Sequence, residues 1–269
     1  MPELPEVETT RLGILPHIKN RTLRRWEVRT PRLRWPIDLP AELRDQVVQD
    51  VRRRAKYLLI QMETGALILH LGMSGSLSIV KLGSNAGKHD HVDLEFDNGC
   101  VLRFNDPRKF GSLHFQEFPV ESHWLLKNLG PEPLSPDFFT EYLFQRRHNR
   151  RVAIKNLIMD ANVVVGVGNI YASEALFRAG IRPNKAAGRV SQNKCAALVD
   201  AIQRTLQEAI QAGGTTLRDF TDSDGKPGYF GQQLNVYGRD GEACFRCGTV
   251  IKVVKTGQRS SFYCPTCQK

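Results

Sequence analysis

Four cysteines near the end of the chain place the strongest constraint on its fold. They form two C-x2-C pairs with sixteen residues between the pairs, namely Cys244, Cys247, Cys264 and Cys267. This spacing is typical of a four-cysteine zinc site that folds a hairpin too small to have a core of its own. Redox-active cysteines usually come as a single pair. We therefore predict one structural Zn²⁺ with no open coordination position.

The charge of the chain predicts a polyanionic partner. Its 269 residues include 38 Lys and Arg against 28 Asp and Glu, a net charge of +10. Nucleic acid is the simplest such partner, although a merely basic protein would show the same balance. The sequence has no cationic, apolar leader and no run of about 20 apolar residues, so we expect a cytoplasmic protein without a membrane span. The remaining Cys100 and Cys195 are interpreted as ordinary thiols.

The first half of the chain has the pattern of an antiparallel β-sandwich. Short apolar runs alternate with turn residues, as in residues 57–62, 66–71, 92–96, 100–104 and 111–118. Asp97-Asn98-Gly99 supplies a hairpin turn between two of them. A helix precedes these strands and should end near Leu15-Pro16. Many short strands separated by turns predict a sandwich or barrel over about residues 17–118.

A change of period marks a second domain. Residues 129–136 contain three prolines in six positions, which neither a helix nor a central strand tolerates. Helical patterns follow over residues 137–147, 152–159 and 190–212. We predict an α+β protein with a β-sandwich domain at 1–130, a helical domain at 131–235 and a zinc hairpin at 236–269.

The N-terminus carries a candidate catalytic group. If Met1 is removed, Pro2 presents a secondary amine with a near-neutral to mildly basic pKa. Condensation of this amine with an aldehyde-level sugar carbon gives an iminium ion that has no N–H proton to lose and serves as an electron sink. Glu3 is placed to transfer protons. The alternative is a plain helix start, since Pro5 suits a first helical turn.

The segment 160–174 is interpreted as a phosphate-binding helix start. Gly166 and Gly168 suggest a dinucleotide fingerprint, but Tyr171 replaces its third glycine and no βαβ unit surrounds it. Glycines before a helix capped by Asn169 would instead expose backbone N–H groups to a phosphate.

The chain as a whole resembles the formamidopyrimidine-DNA glycosylases, bacterial-type repair enzymes for oxidised purines. The opening Pro-Glu-Leu-Pro-Glu-Val-Glu-Thr, the Arg-Ala-Lys-Tyr-Leu segment, the helix–two-turn–helix pattern at 160–174 and the zinc cysteines all carry the resemblance. It implies a bifunctional DNA glycosylase and AP lyase of base-excision repair. Such an enzyme works as a monomer on damaged double-stranded DNA, which we expect in a basic cleft between the two domains.

Roles for single residues also follow from the resemblance. The implied catalytic residues are Pro2, Glu3, Lys56 and Arg259. The implied or predicted DNA contacts are His89, Arg108, Arg150, Lys155 and Asn169, and the residues implied to fill the vacated base stack are Met73, Arg108 and Phe110. An enzyme that extrudes a base needs such a filling set, and Arg108 would hydrogen-bond the orphaned cytosine. Residues 215–230 would close over the everted purine, with Arg218 where some members have lysine.

Purely structural interpretations are also possible for several of these residues. Met73 and Phe110 would more commonly belong to a core, and Lys155 would be a solvated helix lysine. His89-Asp90-His91 suggests a metal pair only weakly, because further ligands are lacking.

Two rival functions are also open. One is an endonuclease VIII-type glycosylase for oxidised pyrimidines, whose usual opening has glycine in place of Leu4. The other is a non-enzymatic zinc-ribbon DNA-binding protein.

Overall fold

The computed structural model describes residues 2–215 and 234–269. The chain divides into two compact units: Met1–Lys127 with Ile210–Gly231, and Asn128–Ala209 with Gln232–Lys269. The first unit is mainly β-sheet and the second mainly helical. The α+β class predicted from the sequence, a sandwich with a terminal helix followed by helices and a zinc-type hairpin, is confirmed.

In the described part of unit 1, helix α1 (Leu4–Ile18) is followed by eight strands. They are β1 (Leu23–Val28), β2 (Asp50–Arg54), β3 (Tyr57–Gln61), β4 (Gly65–His70), β5 (Ser76–Lys81), β6 (Asp90–Phe96), β7 (Cys100–Asn105) and β8 (Ser112–Glu117). Short 3-10 turns lie at Ala41–Leu43 and Val120–Ser122. The strands form two antiparallel sheets of order β1-β6-β7-β5 and β2-β3-β4-β8.

Alternation of side chains explains how the second sheet buries one face. Leu58 pairs with Leu69, and Ile60 pairs with Leu67, in the β3–β4 register. All four side chains are buried in the sandwich core. Their neighbours along the strands point to the opposite face, because successive strand residues alternate. That opposite face carries Tyr57 and His70, which pair at the end of the hairpin.

Helix α1 is longer than its sequence pattern predicts. It was expected to end near Leu15-Pro16, yet it continues to Ile18 with Pro16 inside its last turn. Burial of Ile18 in the sandwich core favours this extension over the local cost of proline.

Unit 2 contains four helices and the C-terminal hairpin in the described part of the chain. The helices are α2 (Thr140–Arg146), α3 (Ile154–Ile158), α4 (Asn169–Arg178) and α5 (Gln192–Gln211), of which α5 ends in unit 1. A 3-10 turn lies at Ala187–Arg189. The hairpin consists of β9 (Lys252–Thr256) and β10 (Arg259–Tyr263). Leu198, Ile202 and Leu206 are fully buried along one face of α5, as their spacing predicts. The hairpin has a small core in which Phe177 of α4 packs against Cys244 and Cys264.

Candidate functional site

Pro2 and Glu3 are buried, and one carboxylate holds the backbone of Glu3. Pro2 and Glu3 precede α1, and Glu3 is 2% exposed. The backbone N–H of Glu3 donates to Oε2 of Glu6 at 2.8 Å, and the backbone N–H of Thr215 donates to Oε1 of Glu6 at 2.8 Å. Glu6 is 3% exposed, so both bonds are shielded from water. The two oxygens of Glu6 thus hold the backbone of Glu3, the residue after Pro2, and the backbone of Thr215.

Lys56 lies in a two-residue turn between β2 and β3. Ala55, the other turn residue, has a φ of 56°, in the left-handed region that tight turns require. Arg53 joins this turn to α1, since its Nη1 donates to the carbonyl of Ala55 at 3.0 Å and its Nε donates to Glu8 at 2.9 Å. Burial opposes ionisation of Glu8, but Arg11 and Arg53 outweigh it and lower the pKa of the Glu8 carboxyl. Helix α1, which directly follows Pro2 and Glu3, is therefore connected to the turn that carries Lys56.

His70 is a site residue to which sequence reasoning assigned no role. Burial, followed by the charges of Lys56 and Arg34, lowers the pKa of its imidazole to about 4. Its Nδ1 accepts the backbone N–H of Gly72 at 3.0 Å. A neutral ring that accepts at Nδ1 carries its proton on Nε2 and offers a hydrogen-bond donor there. The signal in the sequence is weak: a histidine at the end of a buried strand, before a glycine loop.

The three predicted stack-filling residues lie at the surface of unit 1. Met73 is 37% exposed and Phe110 44% exposed, so the alternative that they belong to the core is wrong. The Arg108 guanidinium lies 5.1 Å from the centroid of the Phe110 ring. The two loops that carry them touch, because a Cβ added to Gly72 would lie 2.5 Å from the backbone of Phe110.

In the His89-Asp90-His91 segment the ring of His91 is buried and hydrogen-bonded, and His89 bonds through its backbone. His91 is 2% exposed, with Nδ1 2.9 Å from Oγ1 of Thr30 and Nε2 2.8 Å from the carbonyl of Asp106. His89 is half-buried, and its carbonyl accepts the backbone N–H of Asp106 at 3.0 Å. Among the described residues the only group of three or more potential metal ligands is the four-cysteine cluster.

In unit 2, Asn169 begins helix α4. The N-cap is Gly168, one residue before the cap expected from the sequence, and it takes the extended backbone that a cap requires. Nδ2 of Asn169 is 3.5 Å from the hydroxyl of Tyr237, while its Oδ1 is buried without a hydrogen-bond partner in the described part of the chain.

Lys155 lies on α3 and is completely buried, so the alternative of a solvated lysine is wrong. Its Nζ donates to the carbonyl of Ser260 at 3.1 Å and to Oγ of Ser261 at 2.9 Å. Both acceptors follow Arg259 on β10. A direct contact between Lys155 and a phosphate stays a prediction.

Two arginines of unit 2 with a predicted role, Arg150 and Arg259, are exposed. Arg259 is exposed at the first position of β10, beside the tight turn at Gly257. Arg150 is also exposed, whereas nearby Arg147 stacks on the Phe144 ring at 3.8 Å. Arg147 and Arg150, which lie between α2 and α3, thus differ: one is packed and the other is exposed.

The four cysteines fit a zinc ion. Their sulfur atoms all lie within 4.8 Å of one another, with Cys244 and Cys267 at 4.0 Å and Cys247 and Cys264 at 3.5 Å. Tetrahedral coordination with Zn–S bonds of about 2.3 Å requires sulfur separations of about 3.8 Å. The predicted zinc site is confirmed.

Two features expected from the sequence lie outside the described residues. They are Met1, whose removal would free Pro2, and nearly all of the predicted purine-closing segment, including Arg218. No helix in residues 2–215 and 234–269 is long and apolar enough to cross a membrane.

Comparison with protein families gives three matches along the chain. Residues 1–113 match the formamidopyrimidine-DNA glycosylase N-terminal domain, and residues 129–221 match the formamidopyrimidine-DNA glycosylase H2TH domain. Residues 241–269 match a zinc finger found in FPG and IleRS.

Individual proteins are similar over the whole length. A formamidopyrimidine-DNA glycosylase of Alcanivorax borkumensis is 57% identical over 270 residues and covers 100% of both chains. Among solved structures, a mutant FPG of Lactococcus lactis in complex with a Fapy-dG containing DNA has a TM-score of 0.93 at 33% identity, with 100% of both chains covered. The MutM (FPG) protein of Thermus thermophilus has a TM-score of 0.89 at 37% identity, with 99% of this chain and 98% of that chain covered.

Proposed function

The chain belongs to the formamidopyrimidine-DNA glycosylase family, and we propose that its chemistry is carried by the nitrogen of Pro2. It is a bifunctional DNA glycosylase and AP lyase of base-excision repair that removes oxidised purines. The observation that supports this proposal is the anchored chain start, where Glu6 holds the backbone of Glu3 in a buried position. A nucleophile must be held within a fraction of an ångström of its target to be effective.

Base removal begins with attack of Pro2 on C1′ of the damaged nucleotide. The C1′–N bond to the base breaks as the N–C1′ bond to proline forms, and the N–H proton of proline passes to the departing base. Glu3 protonates the ring oxygen O4′, the sugar ring opens, and the result is an iminium ion. Glu3 is 2% exposed and directly follows Pro2 in the sequence, and these two facts support its role as the proton donor.

Strand cleavage follows from the same iminium ion. Its positive charge acidifies the C2′–H bond, and loss of that proton expels the 3′ phosphate by β-elimination. A second, δ-elimination expels the 5′ phosphate and leaves a gap with phosphate ends. Lys56, next to the neutral His70 in unit 1, would bind a flanking phosphate and assist proton transfer. Arg259 would hold phosphates and assist the last elimination.

DNA is held by residues of both units in this proposal. His89, Arg108 and the Lys56 turn contribute from unit 1, and Asn169, Lys155, Arg150 and Arg259 contribute from unit 2. Met73, Arg108 and Phe110 fill the space left by the everted base, and their exposure supports this role. The Zn²⁺ held by the four cysteines supplies no step in the reaction, since its four thiolate ligands leave no open position.

Domain boundaries, assembly and location complete the proposal. We propose domains at 1–130, 131–235 and 236–269, and a monomer that works on damaged double-stranded DNA of the chromosome in the cytoplasm. The division of the chain at Lys127 and Asn128 supports the first boundary.

A form with one extra residue ahead of Pro2 tests the chemistry. Its proline nitrogen is a tertiary amide, which is not nucleophilic, while the rest of the chain is unchanged. We expect this form to bind an 8-oxoguanine:C duplex and to leave it uncut, whereas the form that starts at Pro2 removes the base and cleaves the strand. Equal cleavage by both forms would overturn the proposal. A thymine-glycol:A duplex, assayed in parallel, should be the poorer substrate.

A further inference from the structure

The buried carboxylate of Asp106 contacts both loops that carry the stack-filling residues. Asp106 is 0% exposed and lies at the start of the loop between β7 and β8. Its Oδ1 accepts the hydroxyl of Ser74 at 2.8 Å and the backbone N–H of Arg108 at 3.3 Å, and its Oδ2 accepts the backbone N–H of Gly111 at 2.7 Å.

Each of these partners is a filling residue or its neighbour. Ser74 follows Met73, and Gly111 follows Phe110. Arg108 is bound through its own backbone, which also donates to Oγ of Ser74 at 3.2 Å. One carboxylate therefore fixes the backbone directions of two loops that are separate in sequence.

The backbone of Asp106 is held as firmly as its side chain. Its N–H donates to the carbonyl of His89 at 3.0 Å, and its carbonyl lies 2.8 Å from Nε2 of His91. No cation within the described residues forms an ion pair with its carboxylate. A buried charge without a counter-ion depends on its hydrogen-bond donors, so the donors and the carboxylate order one another.

Exposed apolar side chains need such an anchor if they are to fill a base stack. A wedge ordered only on binding would lose affinity to the entropy of ordering, whereas a preorganised wedge avoids that cost. We propose that Asp106 is a positioning residue that holds Met73, Arg108 and Phe110 as one rigid unit. It sets the preference for cytosine opposite the lesion without touching DNA. This inference rests on the proposed stack-filling function of those three residues.

Asp106→Asn tests the inference. An amide has one acceptor oxygen, so it cannot accept from the Ser74 and Arg108 side and from Gly111 at once. We expect the ratio of single-turnover excision rates for 8-oxoguanine opposite C and opposite A to fall about tenfold, in line with one lost buried hydrogen bond. Strand cleavage at a preformed abasic site should change less. An unchanged C-to-A ratio in folded Asp106→Asn would overturn the inference.

Two matched variants separate positioning from general damage. Asp93→Asn removes another buried carboxylate of unit 1, one that pairs with Arg29 and Arg103 and touches neither loop. It should lower stability and leave the C-to-A ratio unchanged. Ser74→Ala removes only one donor to Asp106 and should lower the ratio by a smaller factor. If Asp106→Asn does not fold, the inference is tested with Ser74→Ala instead. An unchanged C-to-A ratio in Ser74→Ala would then overturn the inference.

Arg108→Ala separates this inference from the proposed function. If Arg108→Ala keeps the C-to-A ratio, the stack-filling function itself is wrong. If the C-to-A ratio falls in Arg108→Ala but is unchanged in Asp106→Asn, the filling residues act as proposed and only the role of Asp106 is wrong.

Discussion

The backbone N–H of Glu3 donates a 2.8 Å hydrogen bond to Oε2 of Glu6, inside the first turn of α1. The other oxygen of Glu6 accepts the backbone N–H of Thr215 at 2.8 Å. A buried carboxylate with two backbone donors holds the backbone of Glu3, and with it the adjacent Pro2. The first helical turn is thus part of the candidate active site as well as of the fold.

Glu6→Gln should weaken both the fold and the chemistry. Glutamine offers one acceptor oxygen, so either the Glu3 or the Thr215 N–H loses its partner in a buried position. We expect the free energy of unfolding to fall by about 1–3 kcal/mol, together with slower formation of the borohydride-trapped adduct. Urea unfolding and single-turnover trapping measure the two effects. Glu27→Gln, which affects a more exposed ion pair, should cost under about 1 kcal/mol and leave trapping intact.

The neutral His70 ring predicts a loss of stability in mild acid. Its folded pKa of about 4 lies below the ordinary value of 6.5, so the unfolded chain takes up a proton at a higher pH than the folded one. Stability from this group is complete above pH 6.5 and falls towards pH 4, by about 3 kcal/mol. His70→Asn keeps an acceptor for the Gly72 N–H and cannot titrate. Its stability should depend less on pH over this interval; parallel curves for the two proteins would exclude the assignment.

Removal of zinc should unfold the C-terminal hairpin. The hairpin core contains Cys244 and Cys264 together with few apolar side chains, so the metal supplies much of its folding free energy. We expect one zinc per chain by elemental analysis and a loss of DNA affinity after chelation. Cys264→Ser should behave like the chelated protein, while Cys100→Ser should keep both metal and affinity. Full affinity in metal-free protein would argue against the hairpin as a DNA contact.

Lys155 and Arg259 should differ in how they affect DNA binding. Arg259 is exposed, and Arg259→Gln should reduce the salt dependence of binding by about one charge with little effect on unfolding. Lys155 is buried against Ser260 and Ser261. Lys155→Met should lower the free energy of unfolding by about 1–3 kcal/mol because Ser261 loses its partner. Salt titrations and urea unfolding of both variants check this. A Lys155→Met protein with unchanged stability would show that the bonds to β10 contribute little.

Local patterns predicted much of the fold. The five strand segments read from alternation correspond to β3, β4, β6, β7 and β8, and the zinc site follows from spacing alone. Strand β1 (Leu23–Val28) is not among those segments, because its charged residues hide the alternation of an edge strand. The extension of α1 past Pro16 depends on burial of Ile18, which no local pattern contains.

The candidate site was harder to predict where it depends on distant contacts. The chemistry of Pro2 and Glu3 can be argued from residue type. The burial of Lys155 against Ser261, 106 positions away, cannot. The same holds for Asp106, whose carboxylate meets Ser74 from another loop, and for His70, whose pKa is set by burial and by charges on other segments. Such environments arise only after the sheets have packed.

Peptide mapping of the borohydride-reduced enzyme–DNA adduct tests the role of Pro2 most directly. The protein is incubated with an 8-oxoguanine:C duplex in borohydride, digested with protease and nuclease, and analysed by tandem mass spectrometry. We expect the sugar remnant on the N-terminal peptide that begins with Pro2, attached at its nitrogen. A remnant on a lysine side chain, or an adduct formed equally well by protein that retains Met1, would contradict the mechanism.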